Sequence, residues 1–251
     1  MNDEEKHELI QRFERLTLSQ QARMRKAIVA FGAQANFERN PNSDLINDAV
    51  LHSLGDRLIE HHSGSRQALS KDRFEFAFEL ALLEGGIPSE LAKSRTNRGH
   101  DLTIGGVPVN LKTEAAASIK ENLIHISKWM ELGKGEWDID AQRQQFLSHL
   151  ANYARIFVLR RLRTMASTVK YELVEIPKNL MLECVKSPIE LARQTTQITM
   201  PGYVRVQDGN GGVKYELYFD AGSERKLQVK KLRKDLCVVH ATWTFDQCSA
   251  E

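Results

Sequence analysis

The chain has 251 residues, 41% hydrophobic and 27% charged, with a formal net charge of +2, the balance of an ordinary globular protein long enough to close a substantial core. No run of about 18 apolar residues is present, so a membrane span is excluded, and the acidic start MNDEEKHELI lacks the basic and apolar regions of a secretory signal. Cys184, Cys237 and Cys248 are too few and too widely spaced for a disulfide framework or a zinc ribbon.

Asp3, Glu4 and Glu5 favour a helix start, because acidic side chains sit well at the positive end of a helix dipole. A second helical pattern follows Thr17 or Ser19 and ends near Gly32, a polar loop occupies residues 34–44, and a third helix covers residues 45–61 before a turn at 62–65. His61-His62 lacks further ligands at metal spacing and reads as a surface pair at a helix end. Ser70 caps the next helix, KDRFEFAFELALLE, which Gly85-Gly86 stops. Phe74, Phe76, Phe78, Leu80 and Leu82 make it apolar around most of its circumference, as in a largely buried helix. Glu75 and Glu79 depart from that pattern. Four residues apart, they share a face and repel mildly, which leaves two readings: a narrow solvent stripe, or a carboxylate aimed at a metal or a lysine.

Residues 98–114, RGHDLTIGGVPVNLKTE, place Gly105-Gly106 between two runs of alternating hydrophobicity, the pattern of a hairpin with a two-residue turn. In that register Ile104 faces Val107, Leu102 faces Val109 and Asp101 faces Asn110. Leu102, Ile104, Val107, Val109 and Leu111 then share one face, while Asp101, Thr103, Pro108, Asn110, Lys112 and Glu114 share the other. Antiparallel strands often leave a polar face in water, so spacing alone leaves solvation and chemistry both open.

Further on, an insertion with HISKWMELGKGEWD precedes a helix at 140–154, two strands from Arg155 and Val169, and a short helix after Pro177. The last third carries strands on either side of an Asp-Gly-Asn-Gly-Gly turn at 208–212, then strands at 226–232 and 237–245. This order predicts an α/β or α+β fold with a mixed central sheet flanked by helices. Residues 225–234 hold six basic side chains and no acid, and Ser94–Arg98 adds two arginines beside the hairpin, clusters of the kind that phosphate contacts require.

Phosphodiester hydrolysis needs a divalent cation, an activated water and a positive group near the developing charge. Asp101 supplies a carboxylate and Lys112, one residue pair away on the same face, a cation. This arrangement resembles the PD-(D/E)XK nuclease superfamily, with His100-Asp101 on one strand and Asn110-Leu111-Lys112 on the next. Asn110 stands where the second carboxylate belongs, so the missing acid must come from Glu75 or Glu114; the backbone carbonyl of Leu111 is a further metal ligand by the same resemblance.

Longer runs, among them LAKSRTNRGHDLTI, IKENLIHISKWMELGKGEWD, LVEIPKNLMLE and LYFDAGSERKLQVKKL, resemble the SmaI-like type II restriction endonucleases. The resemblance implies a single endonuclease domain with a helical N-terminal region (1–66), a restriction-endonuclease-like catalytic core (67–185) and a β-rich basic C-terminal region (186–251). It implies a Mg²⁺-dependent homodimer in a prokaryotic cytoplasm that cuts double-stranded DNA centrally at the palindrome CCCGGG. It further implies a DNA methyltransferase that protects host DNA without a stable complex. Two-fold targets call for two-fold readers. Arg95, Asn97 and Arg98 become base or phosphate readers, Lys128 a weaker one, and Lys226, Lys230 and Lys231 phosphate contacts. Two other readings stay open: a structure- or mismatch-specific repair nuclease on the same core, and a catalytically silent DNA-binding module, which Asn110 keeps in view.

Overall fold

The computed structural model describes residues 1–93, 99–116, 118–164, 167–193 and 199–247; Arg95, Asn97, Arg98 and Cys248 lie outside them. In chain order the elements are α1 (Asp3–Glu14), α2 (Leu18–Gly32), β1 (Ala35–Arg39), α3 (Asp48–Gly64), α4 (Lys71–Glu84), β2 (Ser89–Leu91), β3 (Leu102–Ile104), β4 (Val107–Glu114) and β5 (Leu123–Glu131). There follow α5 (Ile139–Ala151), β6 (Arg155–Leu162), β7 (Thr168–Glu175), α6 (Lys178–Leu182), β8 (Ile189–Leu191), β9 (Gly202–Gln207), β10 (Val213–Asp220), β11 (Lys226–Arg233) and β12 (Val238–Asp246).

Seven strands form a mixed sheet in the order β1-β12-β7-β6-β4-β3-β2, and five form a second sheet, β5-β11-β10-β9-β8. β4 pairs antiparallel with β3 and parallel with β6. β6 is buried on both faces, which is why its IFVL segment is apolar without alternation. Its Phe157 and Leu159 point into a core shared with Leu54, Leu58, Phe74 and Phe78 of α3 and α4. Its Ile156 and Val158 point into a second core, shared with Phe146 and Leu150 of α5 and with Val204, Leu217 and Val229 of the second sheet. The central sheet is thus sandwiched between α3 and α4 on one side and α5 with the second sheet on the other.

The hairpin forms as its sequence dictates. Gly105 and Gly106 have φ of 56° and 82°, Ile104 pairs with Val107 and Leu102 with Val109. Asn2, Thr17 and Ser70 cap α1, α2 and α4 through side-chain oxygens, the first two as full capping boxes.

Four local readings are corrected. The polar stretch 34–44 is no simple loop, because its Ala35–Arg39 pairs with β12 and closes the edge of the central sheet. The insertion with HISKWMEL is strand β5, paired with β11; β1 from the N-terminal region and β12 from the C-terminal one both complete the central sheet. α4 is buried only along Phe74, Phe78, Ala81 and Leu82, while Phe76, Leu80 and Leu83 on its far side are exposed. His62 is no surface residue: only 4% exposed, it hydrogen-bonds the Tyr171 hydroxyl and the Ser65 carbonyl and packs on the rings of Tyr171 and Phe245. Among the described residues, no helix is long and apolar enough to cross a membrane.

Candidate active site

The polar face of β4 is not in water. Asn110, Lys112 and Glu114 alternate with Val109 and Leu111 along the strand, and all five are buried. Burying three adjacent polar side chains on one strand face costs free energy unless each has a partner or a task, and the three differ sharply in this respect.

Glu114 has partners. Its carboxylate accepts from Arg160 Nε at 2.5 Å and from the backbone amide of His125 at 2.7 Å. Arg160, fully buried, spends its remaining donors on Glu172 and on the carbonyls of Lys120, Glu121 and Leu123. Lys234 Nζ bonds Glu172 at 3.0 Å. Burial pushes the Glu114 carboxyl up, against the pull of Arg160. This group ties β4 to β6, β7 and the start of β5.

Lys112 stands apart from that cluster. No described side chain hydrogen-bonds its ammonium, which lies over the Trp129 ring at 5.7 Å from its centroid. Burial brings its pKa down to about 8, with Lys71 helping and Asp101 and Glu75 opposing. Behind it, Trp129 Nε1 donates to the Tyr153 hydroxyl at 3.1 Å, and that hydroxyl meets His149 Nδ1 at 3.0 Å. Burial, reinforced by Lys112, pushes His149 down to about 4, so this Trp129–Tyr153–His149 chain is neutral at ordinary pH.

Asn110 is the third case. Its Oδ1 is buried and has no hydrogen-bond donor. An orphaned acceptor of this kind carries a desolvation cost unless something positive meets it.

Asp101, just ahead of β3, is fixed by the hairpin register: its amide donates to the Val109 carbonyl at 3.0 Å, and its Oδ2 accepts from the Leu111 amide at 2.7 Å. Its Oδ1 meets Lys71 Nζ at 2.6 Å, and the same ammonium reaches Glu75 Oε1 at 3.0 Å. Burial opposes the charged form of Lys71, but Asp101 and Glu75 outweigh it and raise its pKa. Burial also raises Glu75 in spite of Lys71. Glu79, the other half of the pair on that helix, is used structurally, since its Oε1 accepts from the Leu91 amide at 2.8 Å. The start of α4 and the hairpin therefore bring together two carboxylates and two lysines, with the unsatisfied Asn110 two residues before Lys112 on the same strand. Sequence reasoning missed Lys71, although its place four residues before Glu75 on the same helix face was a signal.

Residues 15–245 match the model of the SmaI family, type II site-specific deoxyribonucleases. The chain belongs to that family. It is similar to the type II restriction enzyme SmaI of Serratia marcescens, at 48% identity over 220 residues that cover 88% of this chain and 89% of the relative. No solved structure matches it. The protein is thus a restriction endonuclease with double-stranded DNA as its substrate, and the mixed α/β architecture accords with the fold expected of such enzymes.

The basic residues singled out in the sequence fall in two places. Lys128 is bound to Glu131 and Glu224 at 2.8 and 2.6 Å, and Lys226 to Glu224 at 3.1 Å, at one end of the β5–β11 pair. Lys230 and Lys231 lie at the other end, on a groove of about 290 Å³ that Glu114, Lys120 and His125 also line. There the β5–β11 register shifts between Val229 and Leu232, and Lys231 is the one described non-glycine residue with positive φ, 53°. A second acidic group, Asp44, Glu175 and His240, is tied up by Arg155, which bonds both carboxylates.

Proposed function

We propose that Asp101, Glu75, Asn110 and the Leu111 carbonyl hold a divalent cation such as Mg²⁺, and that Lys112 serves the attacking water. The observation that carries this reading is the orphaned Asn110 Oδ1, a buried oxygen that only a cation or a donor would relieve, on the strand next to the one that Asp101 leads into. All of these are oxygen donors, the set a hard cation takes, and two carboxylates are within the usual number for Mg²⁺. When bound, the metal supplies charge for the phosphate and acidity for its water. Asn110, in the place of the second acid, contributes an oxygen but no charge, and Glu75 supplies the charge from α4. Glu114 is assigned a structural role, because Arg160 already takes it.

Lys112 holds the attacking water, or takes its proton, from a buried position between the carboxylates and the Trp129 ring; in-line attack leaves 5′-phosphate and 3′-hydroxyl ends. Lys230, paired with Glu216 in the β10–β11 ladder, and Lys231, whose Nζ bonds Glu216 at 3.0 Å, both line the groove beside Glu114, a placement that suits contacts with backbone phosphates. The likeness to SmaI supports the target CCCGGG, cut at its centre, read by a homodimer with one active site per strand. A methyltransferase of the same specificity is then needed to protect host DNA.

The test is a plasmid with a single CCCGGG site beside an otherwise identical plasmid without it, each incubated with purified protein and Mg²⁺. The expected result is linearisation of the first alone, with blunt ends. Discrete cutting of both keeps the nuclease and removes the target; no cutting of either, with binding retained, favours the silent module.

A further inference from the structure

Lys71 is out of place by the ordinary rules of helices. It is the first residue of α4, where the helix dipole disfavours a cation, and its ammonium is drawn between the two carboxylates assigned to the metal. With Lys71 there, Asp101, Glu75, Lys71 and Lys112 sum to zero charge when both lysines are protonated. A divalent ion added to that set leaves two positive charges in excess, in a site where Lys112 is already buried. A DNA phosphate brings the missing negative charge, and Lys71, whose side chain is 38% exposed, has the freedom to turn toward it.

We propose that Lys71 is a built-in counter-cation that occupies the carboxylates of the DNA-free enzyme, and that divalent metal enters tightly only when DNA draws Lys71 away. The inference rests on the reading of Asp101 and Glu75 as metal ligands. Lys71 is in this sense a positioning residue: it sets the order of assembly, DNA before metal, and keeps a metal-loaded, water-filled site from forming on free protein. By linkage, the factor by which DNA tightens metal binding equals the factor by which metal tightens DNA binding, so removing Lys71 weakens both couplings alike.

The test measures Mn²⁺ binding directly, from the free-ion signal in electron paramagnetic resonance, with and without a duplex that carries the target. Lys71→Met keeps the length of the chain and removes the charge; Lys71→Arg keeps the charge. The expected result is DNA-free Mn²⁺ affinity at least tenfold tighter in Lys71→Met than in the natural protein or Lys71→Arg, with a correspondingly smaller gain on adding duplex. Asp101→Asn abolishes the site in either background. Equal DNA-free affinities in Lys71→Met and the natural protein, both lost with Asp101→Asn, overturn the counter-cation and leave the metal site standing. Mn²⁺ binding that ignores Asp101→Asn, or none at all with DNA present, overturns the metal site and this inference with it.

Discussion

Arg160 Nε donates to Glu114 Oε2 at 2.5 Å in the interior of the central sheet, with both side chains almost wholly buried. That pair separates two glutamates which the sequence leaves equivalent. Glu114→Ala takes one of the two carboxylates from the buried Arg160 guanidinium, leaving Glu172 as the other, and losing one member of a buried pair costs about 3–5 kcal/mol. Glu75→Gln removes charge from a half-buried side chain held, among the described residues, by Lys71, so its stability cost is small while cleavage falls by about a hundredfold or more. Urea unfolding and single-turnover cleavage of both variants decide the assignment. If Glu75→Gln cuts at the natural rate, Glu75 is not the missing acid.

Lys112 yields a different signature. Because no described side chain bonds its ammonium, Lys112→Ala disturbs no network, and DNA binding measured by gel shift without divalent metal stays within about twofold of the natural protein. Cleavage falls by about 10²–10⁴, the usual range for a proton-transfer group. Full turnover in Lys112→Ala removes its assigned role.

Much of this site is legible in the sequence. Period-two alternation and Gly105-Gly106 set the register that places Asp101 opposite Asn110 and Lys112 on the same face, because a one-residue slip would send Leu102, Val109 and Leu111 into water. Which of those polar groups are paired is not legible, since pairing depends on residues far along the chain: Arg160 is 46 residues from Glu114, and Glu172 a further 12. The strand at Ala35–Arg39 is hidden for a similar reason. Its pairing partner is β12, at the other end of the chain, and its exposed edge position leaves no clear alternation. His62 reads as polar surface, though the partners that satisfy it, Tyr171 above all, lie more than a hundred residues away.

Asn110 offers a test that separates function from stability. Its buried Oδ1 lacks a donor, and an unsatisfied buried acceptor costs about 1–3 kcal/mol, so an apolar side chain of similar shape relieves a real penalty. Asn110→Leu is expected to be at least as stable as the natural protein in the presence of a chelator, and to bind Mn²⁺ more weakly. A large loss of stability with chelator present means that the amide is satisfied in solution and is not waiting for a cation.

The two groups of lysines predict different salt dependence. Each phosphate contact steepens the plot of log affinity against log salt concentration by about 1, so Lys230→Ala, at the groove beside Glu114, lowers that slope by about 1. Lys128→Ala lowers it less, because Glu131 and Glu224 already hold that ammonium. DNA binding titrated between low and moderate salt, without divalent metal, makes the comparison. Equal slopes for the two variants contradict the placement of a phosphate at Lys230.

His62 couples folding to pH. Burial, helped by Arg161 and His61 and opposed by the Ser65 carbonyl, pushes its imidazole down to about 4, against an ordinary 6.5 when the chain is unfolded. A histidine with a depressed folded pKa contributes stability that is present above 6.5 and is lost as pH falls toward 4, because the unfolded chain takes up a proton that the folded one refuses. Between pH 7 and 5 the loss from this one residue is about 1–2 kcal/mol, as each tenfold difference in proton affinity between folded and unfolded chain is worth roughly 1.4 kcal/mol and the drop is only partly complete at pH 5. His62→Gln keeps a polar group beside Tyr171 but has nothing to titrate, so it starts less stable at pH 7 and falls less steeply. Urea unfolding of both proteins at pH 7 and 5 measures the difference. Identical falls would mean that His62 is protonated without cost, and hence open to water, in the folded protein.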